Sequence, residues 1–333
     1  MRANASRRHT NPSSRRFPRK VVLAVDIGGT KVEAALVSLQ GKIIFSERRP
    51  MVARGNPTEG LRAVREAIDA VMRHPRAKGV QSIGVSVPGW LDIDSGRVLK
   101  AANLPCWRNY PLAQKIQASY GLPTRIENDA SAAAVAEARW GSARRFHNLF
   151  YVSLGTGIGT GIVRRDSLGR LQTVSSEGGH MTIDYRGPLC PCGKRGCVEM
   201  YASGKALAQR AKAVFTKRGT RGSLLASFAK RPPGGLNAEL ICQAAAGGDR
   251  FAIQILEEAS DHLAVWLGNI IDLMEPEGIV FGGGLGRLML SYAPRIRRKL
   301  RTTAIHPGRD KTRIVRAQFG SQSALLGAAA LWL

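Results

Sequence analysis

The chain has 333 residues, 44% of them hydrophobic and 22% charged, with 37 glycines. That length accommodates two domains with sizeable cores, and no apolar run approaches the ~20 residues a transmembrane helix requires. The formal net charge of +26 is extreme, but no recognition-helix pattern or aromatic-studded basic strand accompanies it, so it reads as a solvated basic surface rather than a nucleic-acid interface.

Residues 1–20 carry seven Lys or Arg and no acid, among Ser, Asn and Pro, which is the composition of a disordered basic tail. The SRRF run at 14–17 lacks the apolar region of a twin-arginine export signal, because the strand-like 21–25 runs straight into Asp26. Residues 20–38, KVVLAVDIGGTKVEAALVS, read as strand, Gly-Gly turn, strand. This is not a Walker A loop. Gly28 and Gly29 lack a Cβ and let backbone N–H groups approach a phosphate; Thr30 adds a hydroxyl, Lys31 a positive charge, and Asp26 a carboxylate suited to a water-bridged magnesium ion. A third strand is expected at 41–49. Asn56 then caps a helix opened by Pro57, with Leu61, Val64, Ile68 and Val71 at helical spacing as far as His74. A strand follows at 81–87, a turn at 94–96 and a short helix at 111–120 closed by Gly121.

A brief strand at 124–126 gives way at Glu127-Asn128-Asp129 to an alanine-rich helix over 130–140. An Asn or Asp at that junction either caps the helix or serves chemistry. Residues 149–163, LFYVSLGTGIGTGIV, repeat the earlier strand–glycine turn–strand theme with Gly155, Thr156, Gly157 and Gly159, which points to a duplicated domain offering a second phosphate loop. The dinucleotide fingerprint does not fit, because these glycines join two strands rather than a strand and a helix.

The stretch SEGGHMTIDYRGPLCPCGKRGCVE at 176–199 brings together Glu177, His180, Cys190, Cys192, Cys197 and Glu199. Three thiols and one imidazole complete a tetrahedral zinc shell with no open position, which predicts a structural metal. Pro191 and Gly193 suit the tight loop between the closest thiols, and Arg186, Lys194 and Arg195 offset the negative charge of three thiolates. The remaining two of five cysteines, Cys106 and Cys242, stand apart, so the chain reads as a cytoplasmic protein without a disulfide framework. Helices are expected at 202–217, 237–245 and 250–269, and the strand GIVF at 278–281 runs into three glycines. Gly283 and Gly284 would let a flat ring lie against backbone. The basic run RIRRKLR occupies 295–301, and an apolar helix closes the chain at 322–333.

The ordered set DIGGTK, END, LGTGIGTG, EGGH with CxC…C…E, and GGG resembles the ROK family of sugar kinases and repressors, glucokinase-like, within the actin/hexokinase superfamily. The resemblance covers residues 21–333 and implies a two-domain α/β actin-like (ribonuclease H-like) ATPase fold with an interdomain cleft and a zinc loop at 180–197. It implies a smaller N-terminal domain of residues 21–127 plus 320–333 and a larger one of 128–319. It implies ATP-dependent phosphorylation of the 6-hydroxyl of a hexose, most of all glucose, with Asp129 as general base. Amino-sugar, mannose or fructose phosphorylation and a sugar-responsive regulator are the alternatives, the last disfavoured by the lack of room for a winged helix before the first strand. Sugar contacts would come from Asn103, Asn128, Asp129, Glu177, His180 and Glu199. Phosphates with magnesium would meet Asp26, Gly28, Gly29, Thr30, Lys31, Gly155, Thr156, Gly157 and Gly159, adenosine would meet Gly283 and Gly284, and zinc would bind His180, Cys190, Cys192 and Cys197. A homodimer or homotetramer is implied too, and polyphosphate is an alternative donor that the basic run would suit. The sequence departs from the family pattern at Ser131, where Asn is usual, and at Ser176, where Gly is usual.

Overall fold

The computed structural model of the protein describes residues 20–217, 223–229 and 235–333. The basic tail expected at 1–20 lies, except for Lys20, outside the described residues. In the first half, β1 (Val21–Ile27), β2 (Lys31–Ser38) and β3 (Ile43–Pro50) form an antiparallel meander; α1 (Pro57–Met72) then crosses to β4 (Val80–Val87), parallel to β1. A small sheet of β5 (Trp90–Asp92), β6 (Arg97–Lys100) and β7 (Arg108–Tyr110) and the helix α2 (Leu112–Tyr120) precede β8 (Thr124–Asn128), parallel to β4. The second half begins with α3 (Asp129–Arg139) and the meander β9 (Asn148–Leu154), β10 (Ile158–Arg165) and β11 (Leu171–Val174). The helices α4 (Glu199–Ala202), α5 (Gly204–Lys217), α6 (Leu224–Ala229), α7 (Ala238–Ala246) and α8 (Arg250–Met274) follow. Then come β12 (Gly278–Gly282), parallel to β9, α9 (Gly283–Met289), α10 (Ala293–Thr303), β13 (Arg313–Arg316) and α11 (Ser323–Ala330).

The sheet orders are β3-β2-β1-β4-β8 and β11-β10-β9-β12-β13. Numbered by order within each half, both read 3-2-1-4-5. The repeated strand–turn–strand motif in the sequence is thus the visible part of a complete structural repeat.

Strand alternation assigns the layers. Val21, Leu23 and Val25 of β1 pack with Leu61, Val64 and Ile68 of α1, while Val22 and Ala24 pack with Leu325, Leu326 and Ala328 of α11. In the second sheet, Phe150, Val152 and Leu154 of β9 meet Leu263, Trp266 and Leu267 of α8, and Leu149 and Tyr151 meet Ala130, Ala134 and Ala138 of α3. Each fully buried side chain of this size contributes about 2 kcal/mol, so α8 is the main anchor of its layer.

The alanines of α3 matter for the site. A Cβ on Gly161 of β10 would lie 2.6 Å from the Ala130 carbonyl, and one on Gly327 of α11 would strike the Ala132 carbonyl. Small residues on all three elements let α3 wedge between the second sheet and α11, which fixes where its first residue, Asp129, can stand.

The structure departs from the sequence reading in several places. The helix expected at 202–217 is broken at Ser203, whose ψ of 160° is extended. The break lets the Gly204 N–H reach the Gly155 carbonyl at 2.8 Å. The helix expected to end at 269 runs on to Met274 because Ile270 and Ile271 stay buried. The basic run at 295–301 is an amphipathic helix, α10, whose buried Ile296 and Leu300 are hidden in the sequence among five cations. No helix among the described residues is long and apolar enough to cross a membrane.

Candidate functional site

The site forms where the strands of the first sheet end. Asp26 is the penultimate residue of β1, and Asn128 and Asp129 sit at the switch from β8 to α3. Crevices at such strand ends are where α/β sheets bind ligands. The Ser86 hydroxyl of β4 donates to Asp26 Oδ1 at 2.9 Å. Burial pushes the Asp26 carboxyl up to about 6; Ser86 opposes the shift and the Asp129 charge adds to it. Burial also raises Asp129, against the pull of the Ala130 N–H, which donates to Asp129 Oδ1 at 2.9 Å.

Asn128 caps α3. Its Oδ1 accepts from the Ala130 N–H at 3.0 Å and the Ser131 N–H at 3.4 Å, and its Nδ2 donates to the Gly89 carbonyl at 3.1 Å. One amide proton is left for a ligand. Asn103 lies against the first glycine turn, where a Cβ on Gly29 would meet its carbonyl at 2.9 Å.

Glu177 faces this group from the second half. Burial raises its carboxyl, His180 and the Trp90 indole N–H lower it, and the charges of Asp129 and Glu199 raise it further. Four carboxylates, Asp26, Asp129, Glu177 and Glu199, therefore surround one cleft, together with His180. Glu199 opens α4, and its Oε2 accepts from the Ile158 N–H at 2.7 Å. It thereby holds the second glycine turn, where a Cβ on Gly157 would sit 2.5 Å from the same oxygen.

Beyond that turn lies a cavity of about 840 Å³. Gly155, Thr156, Gly283 and Gly284 all line it. Gly283 has φ +75°, a left-handed conformation with no space for a Cβ beside the Leu154 carbonyl, so glycine is required there. The first turn takes no part in lining this cavity: Gly28, Thr30 and Lys31 lie on the other half, with the Gly28 N–H donating to the Lys31 carbonyl at 2.8 Å. Sequence reasoning missed Lys205, Asn237, Glu239, Arg287, Arg316 and Ser321 of the cavity wall. They come from five separate segments, and none carried a local signal in the sequence.

His180, Cys190, Cys192 and Cys197 converge, with all four ligand atoms within 4.8 Å of one another. A tetrahedral zinc with Zn–S near 2.3 Å and Zn–N near 2.05 Å requires S···S of about 3.8 Å and S···N of about 3.6 Å. The Cys192 and Cys197 sulfurs are 3.7 Å apart, and Cys190 Sγ stands 3.6 Å from His180 Nδ1. The donor set fits zinc in both chemistry and spacing. Nδ1 points at the thiols, which leaves Nε2 as the ring's other polar atom. The basic run is partly neutralised in place: Arg295 pairs with Asp261 at 2.8 Å and Glu257 at 3.3 Å, and Lys299 with Asp261 at 3.2 Å.

A repeated 3-2-1-4-5 sheet, an acid-rich cleft at the strand ends and a glycine-walled cavity beside it define an actin-like α/β fold. Within that class the chain belongs to the ROK family, whose family model matches residues 22–333. A glucokinase of Streptomyces coelicolor is 32% identical over 93% of this chain and 97% of its own length. A putative xylose repressor of Caldicellulosiruptor sp. is 31% identical over 83% of this chain and 69% of its own length. A solved structure of a ROK family glucokinase from Streptomyces griseus in complex with glucose and AMPPNP is 31% identical, covers 93% of this chain and 98% of its own, and superposes with a TM-score of 0.76.

Proposed function

We propose that the protein is a hexokinase-type sugar kinase that transfers the γ-phosphoryl group of ATP to the 6-hydroxyl of a hexose, with glucose the first choice. One observation carries the reading. A single glycine turn serves both sites: Gly155 and Thr156 line the cavity, while Gly157 and Ile158 hold Glu199 beside the carboxylate cleft. A nucleotide in the cavity would thus present its phosphates to a sugar in the cleft.

In this reading Asp129 accepts the proton of the sugar hydroxyl as that oxygen attacks the γ-phosphorus, and ADP leaves. The raised carboxyl of Asp129 is a better proton acceptor than an ordinary aspartate once ionised, so turnover falls as pH drops through its elevated pKa. Asp26 would hold the magnesium that accompanies ATP, through water, while Gly28, Gly29, Thr30 and Lys31 receive phosphate oxygens from the first half. Gly283 and Gly284 form the floor for the adenine ring. Asn103, Asn128, Glu177, His180 and Glu199 bind the sugar hydroxyls. Zinc on His180, Cys190, Cys192 and Cys197 would be structural, locking the imidazole so that Nε2–H faces the sugar. The division into residues 21–127 plus 320–333 and residues 128–319 belongs to the same reading, with closure of the two around the sugar excluding water.

The glucokinase relatives support glucose, while the repressor relative keeps a sugar-responsive regulator as the second reading. A carboxylate in the general-base position, Asp129, favours the enzyme. The test is Asp129→Asn. Its turnover should fall about 10³-fold with glucose affinity by calorimetry unchanged. Wild-type turnover in the variant would overturn the assignment.

A further inference from the structure

The nucleotide cavity and Asp129 stand at opposite ends of one buried connection. Glu137 lies two turns along α3 from Asp129, about 12 Å at 1.5 Å per residue. Its side chain is fully buried, with 0% exposure. No cation pairs with it among the described residues; four donors satisfy it instead. Oε1 accepts from the Phe319 N–H at 3.0 Å and the Ser323 hydroxyl at 3.4 Å, and Oε2 from the Ser142 N–H at 3.0 Å and the Ser142 hydroxyl at 3.1 Å.

The 319–323 turn that Glu137 holds belongs to the cavity. Gly320 and Ser321 line its wall, next to Arg316 and Ala317. The Ser323 Oγ also lies 3.0 Å from the Gly320 carbonyl, so its single proton is shared between the wall residue and the carboxylate. On the adjacent strand β12, a Cβ on Gly282 would strike the Tyr151 hydroxyl, and Tyr151 hydrogen-bonds Ser323. A buried carboxylate without a cation is costly unless every lone pair is engaged, so this junction resists any motion of the turn that α3 does not follow.

We propose that Glu137 is a positioning residue that couples nucleotide seating to the placement of Asp129: movement of the 316–321 wall on nucleotide binding is passed through Glu137 to α3 as a rigid rod. The proposal rests on the kinase reading. It requires sugar and nucleotide to bind with positive linkage, each tightening the other by the same factor.

The experiment measures glucose affinity by calorimetry with and without AMPPNP, in the wild type and in Glu137→Gln. In the variant one oxygen becomes an NH₂ that faces donors. AMPPNP should tighten glucose about fivefold or more in the wild type and leave it nearly unchanged in the variant, which keeps its affinity for glucose alone. Loss of a merely structural contact would lower stability without erasing the linkage. Should Glu137→Gln fail to fold, Ser323→Ala and Ser142→Ala replace it: Ser323 faces the wall and Ser142 does not, so only the first should weaken linkage. Equal linkage in all proteins, or no linkage in a wild type that binds both ligands, overturns the proposal. A wild type that binds no AMPPNP overturns the kinase reading instead.

Discussion

The two halves share one topology and differ in what they place at its turning point. In the first, Ile27 pairs with Val32 and the position before it is Asp26, beside Ser86 of the parallel strand. In the second, Leu154 pairs with Ile158 and the corresponding position is Ser153, beside Gly282. One half supplies charge at its strand end, and the other supplies backbone and space. The first turn thus sits by the buried carboxylates Asp26 and Asp129, while the second, beside Gly282, Gly283 and Gly284 of the neighbouring strand end, borders a cavity. A duplicated fold brings two such turns together, and divergence at a few strand-end positions makes them complementary.

The largest effect on glucose affinity comes from the Cys-His loop, a part the second half alone carries. Cys192→Ser should lose bound zinc and weaken glucose by about tenfold or more, checked by metal analysis and calorimetry. Full occupancy with normal affinity would contradict the assigned loop.

The two turns themselves should respond differently to a methyl group. Gly157→Ala places a Cβ 2.5 Å from Glu199 Oε2 and should weaken glucose about tenfold, or ~1.4 kcal/mol. Gly28→Ala meets only the Lys31 carbonyl at 3.4 Å and should leave glucose affinity unchanged. Equal responses would show that the two turns do not divide the work in this way.

The charge at Asp26 should also be visible in stability. Its carboxyl is raised to about 6 from an ordinary 3.8, so between those values the folded protein holds a proton that the unfolded chain has lost. Wild-type stability therefore falls as pH rises through that window, by about 3 kcal/mol for a shift of about two units. Asp26→Asn does not titrate. It should melt higher than wild type at pH 7.5 and match it near pH 3.5, while phosphoryl transfer is lost.

The smallest effect concerns Ser131. Its hydroxyl is buried without a hydrogen-bond partner. Ser131→Ala should be neutral or stabilise by about 1 kcal/mol in denaturant titrations, and a clear loss would reveal a partner for that hydroxyl.

Much of this architecture was legible because its signals are local. Apolar β-branched runs broken by glycine announced both meanders, and His180 with Cys190, Cys192 and Cys197 lies within one short stretch, so spacing alone named the cluster. The alanine run after Asp129 announced α3, although not that Asn128 would cap it so fully. The cavity wall was illegible because Asn237, Arg287, Arg316 and Ser321 converge only in three dimensions. The helix break at Ser203 goes with a hydrogen bond from the Gly204 N–H to the Gly155 carbonyl, 49 residues earlier in the chain, and no propensity reports such a contact. Glu137 looked like one more helix former in an alanine-rich run; only folding shows that it is buried and fully bonded.

The most direct test is a coupled phosphorylation assay with Mg-ATP, and with polyphosphate in a parallel series, across glucose, mannose, fructose, N-acetylglucosamine and N-acetylmannosamine. Transfer from ATP with one dominant kcat/KM, for glucose, is the expected result. Silence across the panel with both donors, from protein that binds glucose, would contradict it and identify a sugar-binding regulator in its place.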